Sequence, residues 1–356
     1  MKTVVGMGEV LLRISPENSL RFLQSVPGEL RCCLAGAEAN ALASLAHLGC
    51  RARLVTALPD HAVAQACLQQ LRGLGVDVSR VVLSPAGRLG LMFLEPGVGQ
   101  RASQVLYDRE YSAFSLTPPA AYDWEGIFAD ADWFHISGIS GALSRVAAES
   151  ARTALSEAAA RGCTVSFDPN FRAKLWRWEP GVEPLALAAR TLSEWLPLVH
   201  VFFGGLEDIA LVAGIVPDPA AQDPWRDAAQ QLVSRHPGIR QVVSTTRAGV
   251  SASEDRWSAR LWDVSTDTWV EAPTRAGRLE PFEIAPVVDR IGAGDAFAAG
   301  LIFATRTPEW SAPQKRLEFA TAAGCLSHWI AGDINYSTRA EVEALVAGAR
   351  GGRVNR

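Results

Sequence analysis

Residues 287–297 read Val-Val-Asp-Arg-Ile-Gly-Ala-Gly-Asp-Ala-Phe. A strand pattern runs into a Gly-Ala-Gly turn, and an alanine-rich helical pattern follows it. The first N–H groups of a helix have no carbonyl partner within it, so Gly292, Ala293 and Gly294 can offer successive donors to an anion. Glycine also lets a backbone approach a phosphate closely. Asp295 stands at the same helix start, where negative charge is favoured and a carboxylate can take up a proton. Taken alone, the segment serves equally well as a glycine bend with an aspartate cap. It has neither the G-K-[ST] of a Walker A loop nor a G-x-G-x-x-G.

The elements that must hold this turn follow a regular rhythm. Strands are expected at 3–8, 52–56, 164–167, 199–203 and 241–244. Helices are expected at 38–48, 61–74, 144–160, 295–305 and 315–330, three of them closed by Gly49, Gly75 and Gly162. Strands alternating with helices of this length imply a mostly parallel sheet covered on both faces. Two stretches break the rhythm. Residues 10–34 and 87–116 suit a separate small sheet or lid, the second as two strands joined by a turn at 95–100. A third interruption, 257–286, carries strand patterns at 260–264 and 268–271.

Composition excludes several classes. The 356 residues are 48% apolar and 20% charged, which suits a large globular core and not disorder. The formal charge of −4, with no basic block, lacks the footprint of a nucleic-acid binder. No apolar run reaches the ~18 residues of a membrane span. The N-terminus carries Glu9 and two glycines in its apolar stretch and does not read as a signal peptide, so a cytoplasmic location is expected. None of the six cysteines forms a C-x-x-C pair, and His47, His61, His135, His200 and His236 lack metal-ligand spacing.

Residues 289–301, DRIGAGDAFAAGL, resemble the C-terminal signature of the ribokinase (PfkB) family of carbohydrate kinases. Residues 34–49, LAGAEANALASLAHLG, resemble that family's N-terminal signature, and the similarity extends through the chain. GRLGLMFLEPG (87–97), LYDREYSAFS (106–115), SFDPNFRAKLW (166–176) and AAGCLSHWIAGDIN (322–335) are most similar to 2-keto-3-deoxygluconate kinases within it. The resemblance implies a ribokinase-like α/β/α domain spanning 1–356, with a mostly parallel central sheet and a small β-rich lid near 10–34 and 87–116. The implied reaction is transfer of the ATP γ-phosphoryl group to a primary hydroxyl, here the terminal one of 2-keto-3-deoxygluconate.

The resemblance also assigns roles. Asp295 becomes the general base, and the backbone of Gly292, Ala293 and Gly294 the anion hole. Glu9, Gly36 and Asn40 are placed on the sugar hydroxyls. Tyr107, Arg109, Asn170 and Arg172 are placed around the sugar acid, whose carboxylate an arginine fork matches. Ser244, Arg247, Gly249, Gly294 and His328 are placed around ATP, with Glu207 positioning Mg²⁺ and Asp289 beside a monovalent-cation site such as one for K⁺. The implied partners are a small sugar acid and ATP, with no nucleic acid or membrane; an exposed apolar lid would suit a homo-oligomer. Three positions depart from the family pattern: Ala35 replaces a glycine, Gly204 an asparagine and Thr246 a glycine. Two alternatives stay open. One is a kinase of another sugar (keto-deoxygalactonate, fructose or a nucleoside). The other is a catalytically weakened ligand-binding homologue.

Overall fold

The computed structural model describes residues 2–249 and 251–348. Its main sheet has ten strands. Seven run parallel in the spatial order 76–77, 52–55, 3–7, 131–137, 164–168, 201–203 and 241–247. The strand Thr3–Met7 is buried along its whole length, as its run of valines predicts for a central parallel strand. The three strands of the 255–284 region extend this sheet antiparallel beyond 241–247. Sequence reading treated this region as an interruption of the main pattern. It is instead a hairpin edge: Asp267 takes φ +47° in the turn, and Trp262 stacks on its cross-strand neighbour Trp269 at 4.6 Å.

Helices cover both faces. Leu42, Leu68, Phe297, Leu301 and Phe319 belong to one buried core, and Ala151, Leu155, Leu187, Ile209 and Leu232 to the other. The helix Arg145–Ala160 shows why the local sequence folds so. Ser144 caps it by accepting from the Ala147 N–H at 2.9 Å. Ala147, Ala151, Ala154, Leu155 and Ala158 then recur on one buried stripe. Among the described residues no helix is long and apolar enough to cross a membrane.

A second sheet has four strands in the order Arg31–Ala35, Leu11–Ser15, Gly90–Glu95 and Gln104–Asp108. Its two central strands pair in parallel and its outer ones antiparallel. Leu11, Ala35 and Met92 form a small core of its own, with Val105 and Tyr107 packed against it. The end of the 87–116 stretch leaves this sheet. Ala113–Leu116 is a short helix whose Phe114 is buried in the main core.

Candidate active site

The chain begins in the middle of the main sheet, builds outward through 52–55 and 76–77, then returns to the other side of 3–7 with 131–137. Strand order therefore reverses between 3–7 and 131–137. The loops after the carboxyl ends of the strands diverge there and leave a crevice. A cavity of about 320 Å³ lies at this position, between the strand ends, the glycine turn and the four-stranded sheet. Glu9, Gly36, Asn40, Tyr107, Arg109, Asn170, Arg172, Arg247, Gly292, Gly294 and Asp295 all line it.

Asp295 sits in the first turn of the helix Ala293–Arg306, with Gly292 as its N-cap. Gly292 has φ +86°, and a Cβ there would stand 1.9 Å from the Asp333 carbonyl oxygen. Only glycine fits this turn, which leaves the first N–H groups of the helix without intrahelical acceptors. Asn40 comes from the helix Ala37–His47, and its side-chain amide donates to Asp295 Oδ2 at 2.8 Å. That helix begins at Gly36, whose φ is +144° and whose Cβ would meet the Glu9 carbonyl oxygen at 2.4 Å. Burial raises Asp295 to about 7; Glu38 adds to the rise, and the Asn40 bond, Arg172 and Arg247 oppose it.

The opposite wall holds a buried ion pair between Arg109 Nε and Glu9 Oε2. The two side chains are 6% and 1% exposed, so the pair is almost dry. The guanidinium fork retains donors beyond the one used on Glu9. Asp168 closes an Asx turn in which its Oδ1 accepts from the Asn170 N–H at 2.9 Å, and Asn170 takes φ +40°. Asp168 is raised to about 7, first by burial, then by Asp208 and Asp295.

The residues expected around the nucleotide are less tightly gathered. Arg247 reaches the cavity, its guanidinium 5.1 Å from the Trp257 ring centre. Ser244 is buried within its strand, while Gly249 and Glu207 are exposed outside the cavity lining. His328 does not face the cavity. Its ring is fully buried behind Trp257, 5.1 Å between centres, with Nδ1 on the Gly324 carbonyl at 2.8 Å. Its backbone carbonyl instead accepts from Val288 N–H and Asp289 N–H at 2.8 and 3.2 Å, tying down the approach to the turn. Asp289 lies behind the turn and outside this cavity.

The three departures have different physical settings. Ala35 is paired in the small sheet, and Gly36 keeps the positive φ that the turn demands. At Gly204 a Cβ would stand 2.6 Å from the Phe202 ring and 2.8 Å from Asp208 Cβ, so an asparagine has no room. Thr246 pairs with Ser258 in the antiparallel edge.

Four cavity or near-cavity residues escaped sequence reasoning as individual candidates. Glu38 is buried on the cavity wall, accepts from Ser137 N–H and Oγ–H at 2.7 Å, and is raised to about 7 chiefly by burial. Its signal was an acidic residue in the otherwise apolar first turn of an alanine-rich helix. Asp168 was legible only as part of a turn motif. Arg13 and Asp333 gave no local signal, since their meaning comes from residues hundreds of positions away.

Comparison with known proteins places this geometry. The family model "pfkB family carbohydrate kinase" matches residues 23–335. The chain is 30% identical over 350 residues to the 2-dehydro-3-deoxygalactonokinase of Haloferax volcanii, covering 98% of each. It is 29% identical over 269 residues to the 2-dehydro-3-deoxygluconokinase of Bacillus subtilis, covering 76% of this chain and 73% of that one. The crystal structure of the 2-dehydro-3-deoxygluconokinase of Thermotoga maritima superposes with a TM-score of 0.87 at 34% identity, covering 98% of this chain and all of that one (100%).

Proposed function

Since this chain belongs to the pfkB family of carbohydrate kinases, we propose that it transfers the γ-phosphoryl group of ATP to the terminal hydroxyl of 2-keto-3-deoxygluconate. The products are ADP and the 6-phosphate. One observation carries the reading: Asp295, at the head of the glycine-turn helix, shares a single cavity with Arg109 and Arg172. A proton acceptor, a set of anion donors and carboxylate-matching arginines are what phosphorylation of a sugar acid requires.

In this reading the sugar lies between Asn40 and the Glu9–Arg109 pair. The arginines orient its carboxylate, and the terminal hydroxyl points at Asp295. The hydroxyl oxygen attacks the γ-phosphorus, the bond from that phosphorus to the ADP oxygen breaks, and Asp295 receives the hydroxyl proton. The backbone N–H groups of Gly292, Ala293 and Gly294 meet the charge on the transferring group. Arg247 borders the side from which the nucleotide enters. Mg²⁺ would bring further charge neutralisation to the phosphates. The carboxylates of Asp168, Asp208 and Glu207 are oxygen donors of the kind it accepts through water, and no cluster of three or more metal-ligating side chains exists among the described residues. That donor set fits a metal carried largely by the nucleotide. The four-stranded sheet serves as the lid that excludes water, the competing acceptor.

The full-length similarity to a galactonate-type kinase favours a second reading, in which the C4 epimer is the substrate. The test is ADP release with MgATP across both epimers, fructose, ribose and adenosine. Turnover confined to the keto-deoxy acids supports the proposal, and the faster epimer decides between its two forms. Preference for a neutral sugar overturns the substrate assignment. Tight binding of the acid without ADP release would make the chain a binding-only homologue.

A further inference from the structure

Behind the glycine turn lie two carboxylates that the reaction above does not use. Asp289 accepts from Ile291 N–H through Oδ1 and from Gly332 N–H through Oδ2, each at 3.1 Å. Asp333 supplies the backbone carbonyl against which Gly292 is pressed. The two residues thus define where the turn sits. Acidic side chains set among backbone carbonyls suit a bare monovalent cation, which is the expectation attached to Asp289.

The structure puts something else there. Arg13, from the second strand of the small sheet, reaches between them. Its Nη2 lies 2.7 Å from Asp289 Oδ2, and its Nη1 lies 2.7 Å from Asp333 Oδ1. Arg13 and Asp333 are 3% exposed and Asp289 13%, so the triad is largely buried. The two carboxylates outweigh burial and hold the guanidinium firmly charged. A cation at these carboxylates would stand against a positive charge already in place, and the residues therefore do not fit one.

We propose that Arg13 is a built-in cation. It acts as a positioning residue that holds the Gly292–Asp295 turn through Asp289 and Asp333, and it makes phosphoryl transfer independent of any added monovalent cation. Because Arg13 belongs to the small sheet, the same contact ties the position of that sheet to the donor geometry of the turn. The inference rests on the kinase reading for its rate effects, but the occupancy of the site does not.

The experiment has two arms. In the first, ADP release by the full chain is followed from 0 to about 100 mM KCl, with tetramethylammonium chloride holding ionic strength constant. The wild-type rate is expected to change by less than about two-fold; activation of about five-fold or more, beyond what screening of exposed charges gives, overturns the proposal. Arg13→Met is expected to lose about 10²-fold in kcat without K⁺, as when one preorganised electrostatic element is removed, and to regain at least about ten-fold with it. A folded Arg13→Met enzyme that keeps its rate, or loses it without rescue by K⁺, also overturns the proposal. The second arm needs no turnover: thallium-205 line broadening reads Tl⁺ binding directly. Wild type is expected to show none, and specific Tl⁺ binding by wild type overturns the proposal even if Arg13→Met fails to fold. If no sugar is turned over, the kinase reading fails, while the thallium arm still decides whether Arg13 fills the site.

Discussion

The side-chain amide of Asn40 holds one oxygen of Asp295 at 2.8 Å, across 255 residues of sequence. This contact orients the carboxylate and favours its charged form, while burial disfavours that form. The second oxygen is left for a ligand. Two family-like signatures at opposite ends of the chain thus meet in one hydrogen bond.

Replacing Asp295 with asparagine keeps the shape and removes the proton acceptor. We expect kcat to fall about 10²–10⁴-fold, the range general-base catalysis contributes, with the KM for the sugar acid changed only a few-fold. Steady-state ADP release checks this. Near-normal turnover would show that another group takes the proton.

The pH profile follows from the direction of the shift. A base must be ionised to work, and burial raises Asp295 to about 7. We expect kcat/KM to rise with pH through about 7 and to level off above it. Asn40→Ala removes a bond that favours the charged form, so its rising limb should move to higher pH. Glu38, Arg172 and Arg247 also face this carboxylate, and Glu38→Gln should move the limb the other way.

Arg109 has a structural partner as well as a proposed ligand. Removing one member of a buried pair typically costs about 3–5 kcal/mol, because the other charge is stranded. Arg109→Ala should therefore lower Tm and raise the KM for the sugar acid. The double variant Glu9→Ala/Arg109→Ala should recover much of the Tm but not the KM. Calorimetry beside kinetics separates the two effects. Recovery of both would place carboxylate recognition elsewhere.

Gly292→Ala tests the turn itself. A side chain at φ +86° costs about 1–3 kcal/mol, and here its Cβ also overlaps the Asp333 carbonyl oxygen. We expect reduced thermal stability and a kcat loss larger than the change in KM, since the displaced N–H groups act on the transferring phosphoryl. A variant with normal kcat would remove the turn from the chemistry.

The parallel sheet and its helices were legible because buried strands such as Thr3–Met7 and capped, striped helices such as Arg145–Ala160 carry their signals locally. The glycine turn was legible for the same reason. The strands of the 255–284 hairpin were legible at 260–264 and 268–271, but not the sheet they join, because alternation reveals a strand and not its partner. Arg13 was invisible because a buried arginine has the same one-letter code as a solvated one, and only its two distant carboxylates mark it. His328 shows the converse: it was expected around ATP, but its ring is buried against Trp257, whose ring also carries the Arg247 guanidinium.

The placement of Thr3–Met7 at the centre of the sheet also bears on synthesis at the ribosome. One edge of this strand pairs with 52–55, but its other neighbour begins at Ala131, so an apolar strand edge stays open while more than a hundred further residues are made. Such an edge can recruit other nascent chains. The cavity wall with Glu9, Arg109 and Arg172 is translated well before the glycine turn, and Arg13 waits 276 residues for Asp289. A chain stalled between Arg172 and Gly292 would carry the arginines proposed to bind the acid with no machinery to phosphorylate it.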